Sequence, residues 1–231
     1  MKKPYASPSW NLRGAVASRA DATIDLTDPA AGLGLSPSGD RLLGLELAAE
    51  DRLAPGDTWL RGDDLVAVYD LDDGRQIRAS AMWRRLAGPP AAWEVVVSAS
   101  TSLLESDPRV AVVCDVQTGT VAWGRNSDRG IVWTPQAAGD TAILPPQAQA
   151  LLVTRPNDAV IVAVHPLDAP RIELVHTGDR LRIACRLFAS TVEKGVLLRS
   201  RVRAAIASAD APAEAALMME SLAAAPPPLT S

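Results

Sequence analysis

The stretch DTWLRGDDLVAVYDLDDGRQIRASAMW, Asp57 to Trp83, decides how the chain is read. It holds six carboxylates, an Arg-Gly-Asp tripeptide and an Asp-Asp-Gly turn. Gly56-Asp57 marks a turn just before an apolar run, and Arg61-Gly62-Asp63-Asp64 makes a second tight bend soon after. Asp72-Asp73-Gly74 then joins two β-type runs, an Asp-Gly hairpin signal. The stretch therefore reads as strands folded back on one another. An EF-hand is excluded by spacing: counted from Asp70, Gly74 comes one residue early and the twelfth position is Ala81. Adhesion through the tripeptide needs an exposed loop on an extracellular protein, and neither condition is visible in the sequence.

The same grammar continues in both directions. Runs rich in Val, Ile and Leu recur throughout, including Arg13–Leu26, Ala91–Ser100, Arg109–Val116, Ala159–His165, Arg171–His176, Arg180–Ser190 and Gly195–Ala207. Turn residues separate them, which is the signature of a sandwich or barrel. The Gly-Asp turn recurs at Gly39, Gly56, Gly139 and Gly178 at irregular intervals, so it is a turn habit and not a repeat. No helical pattern recurs between the strands, which argues against βαβ units. The fold expected is all-β: a large antiparallel two-sheet β-sandwich with a short C-terminal helix. Residues 1–209 are expected to form the sandwich. Residues 210–231 give a helix from about Pro212 to Ala224 and a Pro-rich tail. Asp210 is its N-cap, Pro226 to Pro228 end it, and Leu217, Met218 and Leu222 are its docking side chains.

Composition narrows the function. With 231 residues, 48% of them hydrophobic, the chain can bury a substantial core. A net charge of −4 argues against a sequence-independent grip on nucleic acid. No apolar run is long enough to span a membrane, and no apolar segment follows Lys2 and Lys3, so a soluble, cytoplasmic protein is expected. Cys114 and Cys185 both sit in apolar runs. They read as two buried thiols, the alternative being a disulfide between sheets. Without a Cys/His cluster, neither a metal nor another cofactor is expected.

Catalytic constellations are sparse. His165 and His176 read as the two ends of one hairpin whose loop is Pro166 to Pro170. Five residues of extended chain, about 17 Å, would separate them, too far for a shared metal. No Gly-x-Ser-x-Gly elbow or phosphate-binding glycine loop is present, and GLGLSPSG from Gly32 reads as a loop. Two carboxylates can flank a glycosidic bond. With 27 acids, however, the sequence selects no pair; Asp63, Asp64, Asp70 and Asp115 are merely those nearest strand ends.

Arginine and tryptophan carry more pattern. In Arg180–Leu187, Leu181, Ile183, Cys185 and Leu187 fall on one face and Arg180, Arg182 and Arg186 on the other. In Leu198–Ala204, Arg199, Arg201 and Arg203 share one face. A short connection suggests that the two strands are antiparallel neighbours, so that six guanidiniums share one sheet face. That face is either solvated and neutralised by acids such as Glu173, or a basic surface that grips a carboxylate, phosphate or acidic sugar. Trp59, Trp83, Trp93, Trp123 and Trp133 fall in or beside predicted strands, where they either pack the core or stack on sugar rings.

The segment STVEKGVLLRSRVRA, Ser190 to Ala204, resembles one found in uncharacterised bacterial β-rich proteins, in which a Glu-Lys-Gly turn leads into an Arg-alternating strand. The many short strands are similar in style to large sandwiches of the galactose-mutarotase type. No catalytic His/Glu pattern can be placed, so that activity is not carried over. The reading that results is a non-enzymatic binding or interaction module for a carbohydrate or anionic ligand. Trp83 and Arg84 with Arg182, Arg199, Arg201 and Arg203 are its stacking and anion-gripping groups. The alternatives are a carbohydrate-active enzyme of the mutarotase or glycosidase type using two carboxylates, and a structural subunit of a homo-oligomer.

Overall fold

A computed structural model describes residues 9–35, 38–47, 53–88, 92–128, 130–137, 139–165, 171–208 and 211–225. Twenty strands occur among them. The first ten are β1 (Asn11–Arg13), β2 (Val16–Arg19), β3 (Ala22–Asp25), β4 (Leu33–Leu35), β5 (Arg41–Glu46), β6 (Asp57–Arg61), β7 (Asp64–Leu71), β8 (Ile77–Arg85), β9 (Ala92–Thr101) and β10 (Glu105–Ser106). The remainder are β11 (Ala111–Gln117), β12 (Thr120–Ser127), β13 (Gly130–Pro135), β14 (Thr141–Ile143), β15 (Ala150–Thr154), β16 (Ala159–Val164), β17 (Arg171–Thr177), β18 (Arg180–Arg186), β19 (Val192–Glu193) and β20 (Leu198–Ala207). One helix, α1 (Ala211–Ala224), follows. The strands build two nine-stranded antiparallel sheets. Sheet one has the order β1-β2-β3-β4-β5-β11-β18-β17-β14, and sheet two β13-β12-β15-β16-β20-β9-β8-β7-β6. β10 and β19 form a separate ribbon. The large antiparallel sandwich with one C-terminal helix is therefore the fold.

Period-2 alternation builds the core. Sheet one sends in Val112, Cys114 and Val116 from β11 and Leu181, Ile183 and Cys185 from β18. Sheet two answers with Ile77, Ala79, Ala81 and Trp83 from β8, Val95 and Val97 from β9, and Val202 and Ala204 from β20. Two polar tips cross between the sheets. Tyr69 Oη donates to the Leu26 carbonyl at 3.0 Å, and Trp83 Nε1 donates to the Leu43 carbonyl at 2.8 Å.

The outer face of sheet two is divided along a single strand. On β20 the outward positions run Arg199, Arg201, Arg203 and then Ala205, Ala207. Small side chains there and on neighbouring strands (Ala150, Ala159, Ala163) let α1 lie close. Its Ala211, Ala215, Met218, Met219 and Leu222 are buried against them. In the arginine half of β20, Arg203 and Arg201 meet the end of α1 at Ser221 and Ala225, and all three arginines border a cavity.

Several expectations are corrected. The run Arg13–Leu26 turns twice, at Gly14-Ala15 and Ala20-Asp21, and so divides among the end of β1, β2 and β3. Leu33–Leu35, expected in a loop, forms β4. β16 and β17 are not a hairpin: one pairs β15 and β20 in sheet two, the other β14 and β18 in sheet one. His165 and His176 therefore stand in different layers. Likewise β18 and β20 belong to different sheets, so their six arginines do not share a face. A short connection joins strands across the sandwich as readily as within one sheet, and alternation alone does not distinguish the two. Leu217, expected to dock, is 60% exposed. Cys114 and Cys185 are free thiols on adjacent strands of sheet one, so no bond joins the sheets through them. Burial pushes the Cys114 thiol up to about 12. Asp210, the Pro166–Pro170 loop and Pro226–Pro228 lie outside the described residues.

Candidate functional site

Five adjacent strands, β6, β7, β8, β9 and β20, pave the uncovered half of sheet two in register. One cross-strand row reads Arg61, Asp64, Arg84, Glu94, Arg203: Arg61 faces Asp64, Arg84 faces Glu94, and Glu94 faces Arg203. The next reads Trp59, Val66, Met82, Val96, Arg201, and the one after it Asp57, Val68, Ser80, Ser98, Arg199. Arg78 lies a further step out, between Asp70 and Ser100. The charged, apolar and hydroxyl rows follow from alternation along each strand combined with antiparallel register.

A cavity of about 780 Å³ opens over this face. Val66, Val68, Met82 and Val96 make its floor, with Ser80, Ser98 and Ser100 beside them. Six arginines line it, namely Arg61, Arg78, Arg84, Arg199, Arg201 and Arg203, against one lining carboxylate, Asp64. Trp59 stands at the β6 side, 41% exposed, while Ala225 closes the opposite side at the end of α1. The Arg61-Gly62-Asp63-Asp64 bend is thus the rim of this cavity, with Gly62 supplying the positive φ of +60° that the two-residue turn needs.

Glu94 anchors the charged row. Its side chain is fully buried and clamped from both sides. Arg84 Nε donates to Oε1 at 2.9 Å, a second Arg84 nitrogen reaches the same oxygen, and Arg203 Nε donates to Oε2 at 2.6 Å. Arg203 also donates to Ser221 Oγ of α1 at 2.6 Å. Arg199 donates to Ser98 Oγ at 3.1 Å and Arg201 to the Ala225 carbonyl at 3.2 Å. The arginines are held by neighbouring groups and by packing, which pre-orders them for a ligand.

Burial pushes the Asp64 carboxyl above its ordinary value, and Arg84 and Arg61 only partly oppose this. A carboxylate with a raised folded-state pKa contributes stability below its unfolded value, and this is lost as pH rises through the folded value. Asp64→Asn is therefore expected to unfold at higher urea than the parent at pH 7, with the advantage disappearing below about pH 4. Urea titrations at both pH values check this.

The structure brings together Arg84, Arg199, Arg201 and Arg203 from the expected set. Trp83 does not join them: it faces the core, fully buried, and its ring is closed to any ligand. Arg182 is also elsewhere. It lies on the outer face of sheet one and, with Arg186, pairs with Glu46, while Arg186 further bonds Glu173. That face is a self-neutralised surface. Trp59, Arg61 and Arg78 were not in the set, although the period-2 phase that excludes Trp83 places Met82 and Arg84 outward beside them. Trp93 and Trp123 are buried as well, and Trp133 packs beside the helix seat. Asp64 is the carboxylate that lines the cavity, while Glu94, on the same charged row, is sealed between arginines. Among the described residues no three His, Cys, Asp or Glu side chains converge to hold a metal. No helix among the described residues is long and apolar enough to cross a membrane.

No family model matches the chain, and no curated protein matches it. Solved structures do. One is a crystal structure from Salmonella typhimurium described as a "putative mutarotase (YeaD)". It superposes with a TM-score of 0.55 over 90% of this chain and 96% of its own, at 9% identity. The likeness is one of fold. It shows a shared two-sheet arrangement and assigns no activity to this chain.

Proposed function

We propose that this protein is a non-enzymatic binding module that holds an anionic, polyhydroxylated ligand, an acidic sugar, on the uncovered face of sheet two. The observation that carries this is the cavity lining: six guanidiniums, of which Arg84 and Arg203 are also paired with the buried Glu94 and Arg78 with Asp70, set around an apolar floor with serine hydroxyls and a half-exposed tryptophan. Arginine grips planar carboxylates through two parallel hydrogen bonds, the floor accepts the apolar face of a sugar ring, and the serines meet its hydroxyls. The mutarotase-like neighbour supports a carbohydrate as the ligand class. The enzymatic alternative has less support, since Glu94 is buried between two arginines and unable to reach a substrate.

Isothermal titration against galacturonate, glucose and inorganic phosphate tests the reading. Galacturonate is expected to bind and glucose to bind more weakly. The variant Arg199→Ala is expected to lower galacturonate affinity about 10- to 100-fold, the range of one lost charge-assisted contact. Equal affinity in the variant, or no heat from any of the three, overturns it.

A further inference from the structure

The arrangement of charge around the cavity carries the reading one step further, and this step rests on the function proposed above. A site for a single phosphate or carboxylate brings its guanidiniums to one point. Here they are dispersed. Arg61 is on β6, Arg84 and Arg78 are on β8, and Arg199 and Arg201 are on β20, so that charged strands alternate with uncharged or acidic ones. Neighbouring strands lie about 4.8 Å apart, so successive arginine-bearing strands are roughly 10 Å apart across the sheet. Along β20, Arg199 and Arg201 are two residues apart, roughly 7 Å. The stacking group is equally remote from the β20 arginines. Trp59 is on β6, four strand spacings away, or roughly 19 Å. Between them the floor is continuous, with Val66, Met82 and Val96 in one unbroken cross-strand row.

We infer that the cavity takes an extended acidic oligosaccharide of about four units, lying across the strands from the β20 arginines to Trp59, and not a single sugar. A pyranose unit advances a chain by about one strand spacing, so about four units laid end to end cover the four spacings between the two ends. Carboxylates distributed along such a chain meet guanidiniums distributed along the sheet. The apolar ring faces follow the Val66–Met82–Val96 row. The far unit stacks on Trp59, whose exposed face has no such use for a monosaccharide held at β20.

Isothermal titration with purified oligogalacturonates of one to six units tests this at low ionic strength. Affinity is expected to rise with each unit up to about four and then level. Trp59→Ala is expected to weaken the tetramer about tenfold while leaving the monomer within about twofold, because only the longer ligand reaches that strand. The thermal melt of Trp59→Ala should match the parent, since the side chain is half exposed. If the monomer binds as tightly as the tetramer, or Trp59→Ala weakens both equally, the extended ligand is refuted while the acidic-sugar site stands. If no oligogalacturonate binds, the reading of the site itself falls along with this one.

Discussion

Glu94→Gln is expected to destabilise the protein by about 3–5 kcal/mol, the range found when one member of a buried ion pair is removed. Few substitutions here change so little volume for such an effect. The carboxylate is fully buried and holds two guanidiniums, one from β8 and one from β20. Arg203 is itself almost sealed from water, and without the carboxylate its described partner is Ser221 Oγ. Glutamine keeps the shape of the side chain but supplies no charge. An uncompensated guanidinium beneath the helix seat is the outcome, and desolvation makes it costly. For a chain of this size the melting temperature should fall by roughly 10 °C. The loss should be partly recovered by adding Arg203→Met, which removes the stranded charge. By contrast Glu46→Gln, on the solvated outer face of sheet one, is expected to cost no more than about 1 kcal/mol despite bridging Arg182 and Arg186. Urea denaturation of the four proteins separates the cases. A Glu94→Gln loss as small as that of Glu46→Gln would mean that the row is hydrated and the arginines do not depend on it.

The same comparison shows what the sequence made legible and what it did not. Alternation along Arg180–Leu187 and Leu198–Ala204 placed each side chain on its correct face, because the pleat leaves no other choice once a strand is granted. The Asp-Gly turn at Asp72-Asp73-Gly74 likewise gave β7 and β8 as partners, with Leu71 opposite Ile77. Sheet membership was not legible. β18 and β20 are separated by a few residues and the β19 ribbon strand, yet they lie in opposite layers, and nothing local encodes the crossing. The site divides in the same way: alternation within β20 keeps Arg199, Arg201 and Arg203 together, whereas Arg182 would join them only if β18 paired with β20, and the two lie in different sheets. The partners that complete the cavity, Arg61 and Trp59, come from a strand roughly 140 residues earlier, brought alongside only by the β20-β9-β8-β7-β6 order. The burial of Glu94 is hidden in the sequence for a related reason. A glutamate in an apolar run looks like an outward, solvated residue, and its burial comes from Arg84 and Arg203 closing on it from the two neighbouring strands.

Trp83 gives the other large effect. Trp83→Ala is expected to cost about 3–5 kcal/mol, the range for deleting a large buried aromatic, and to leave ligand affinity unchanged. The ring fills the space between the sheets next to β5, and its Nε1 donates to the Leu43 carbonyl at 2.8 Å. Leu43 is a buried leucine at φ +54°, a conformation that an L-residue holds only when its surroundings fix it. Beside it the β5–β11 register shifts between Val113 and Asp115, and the Leu43 N–H points to Cys114 Sγ at 3.4 Å. The indole thus secures an irregular turn of backbone in the opposite sheet. Trp83→Phe divides the two contributions: it fills most of the volume but withdraws the donor, leaving a buried carbonyl short of a hydrogen bond at a cost of about 1–3 kcal/mol. Urea titrations give the stabilities, and galacturonate titration of Trp83→Phe reports on the cavity. An unchanged galacturonate affinity with a clear loss of stability is the result this geometry requires. Weakened binding by a normally stable Trp83→Phe would return the residue to the ligand site from which its burial removes it.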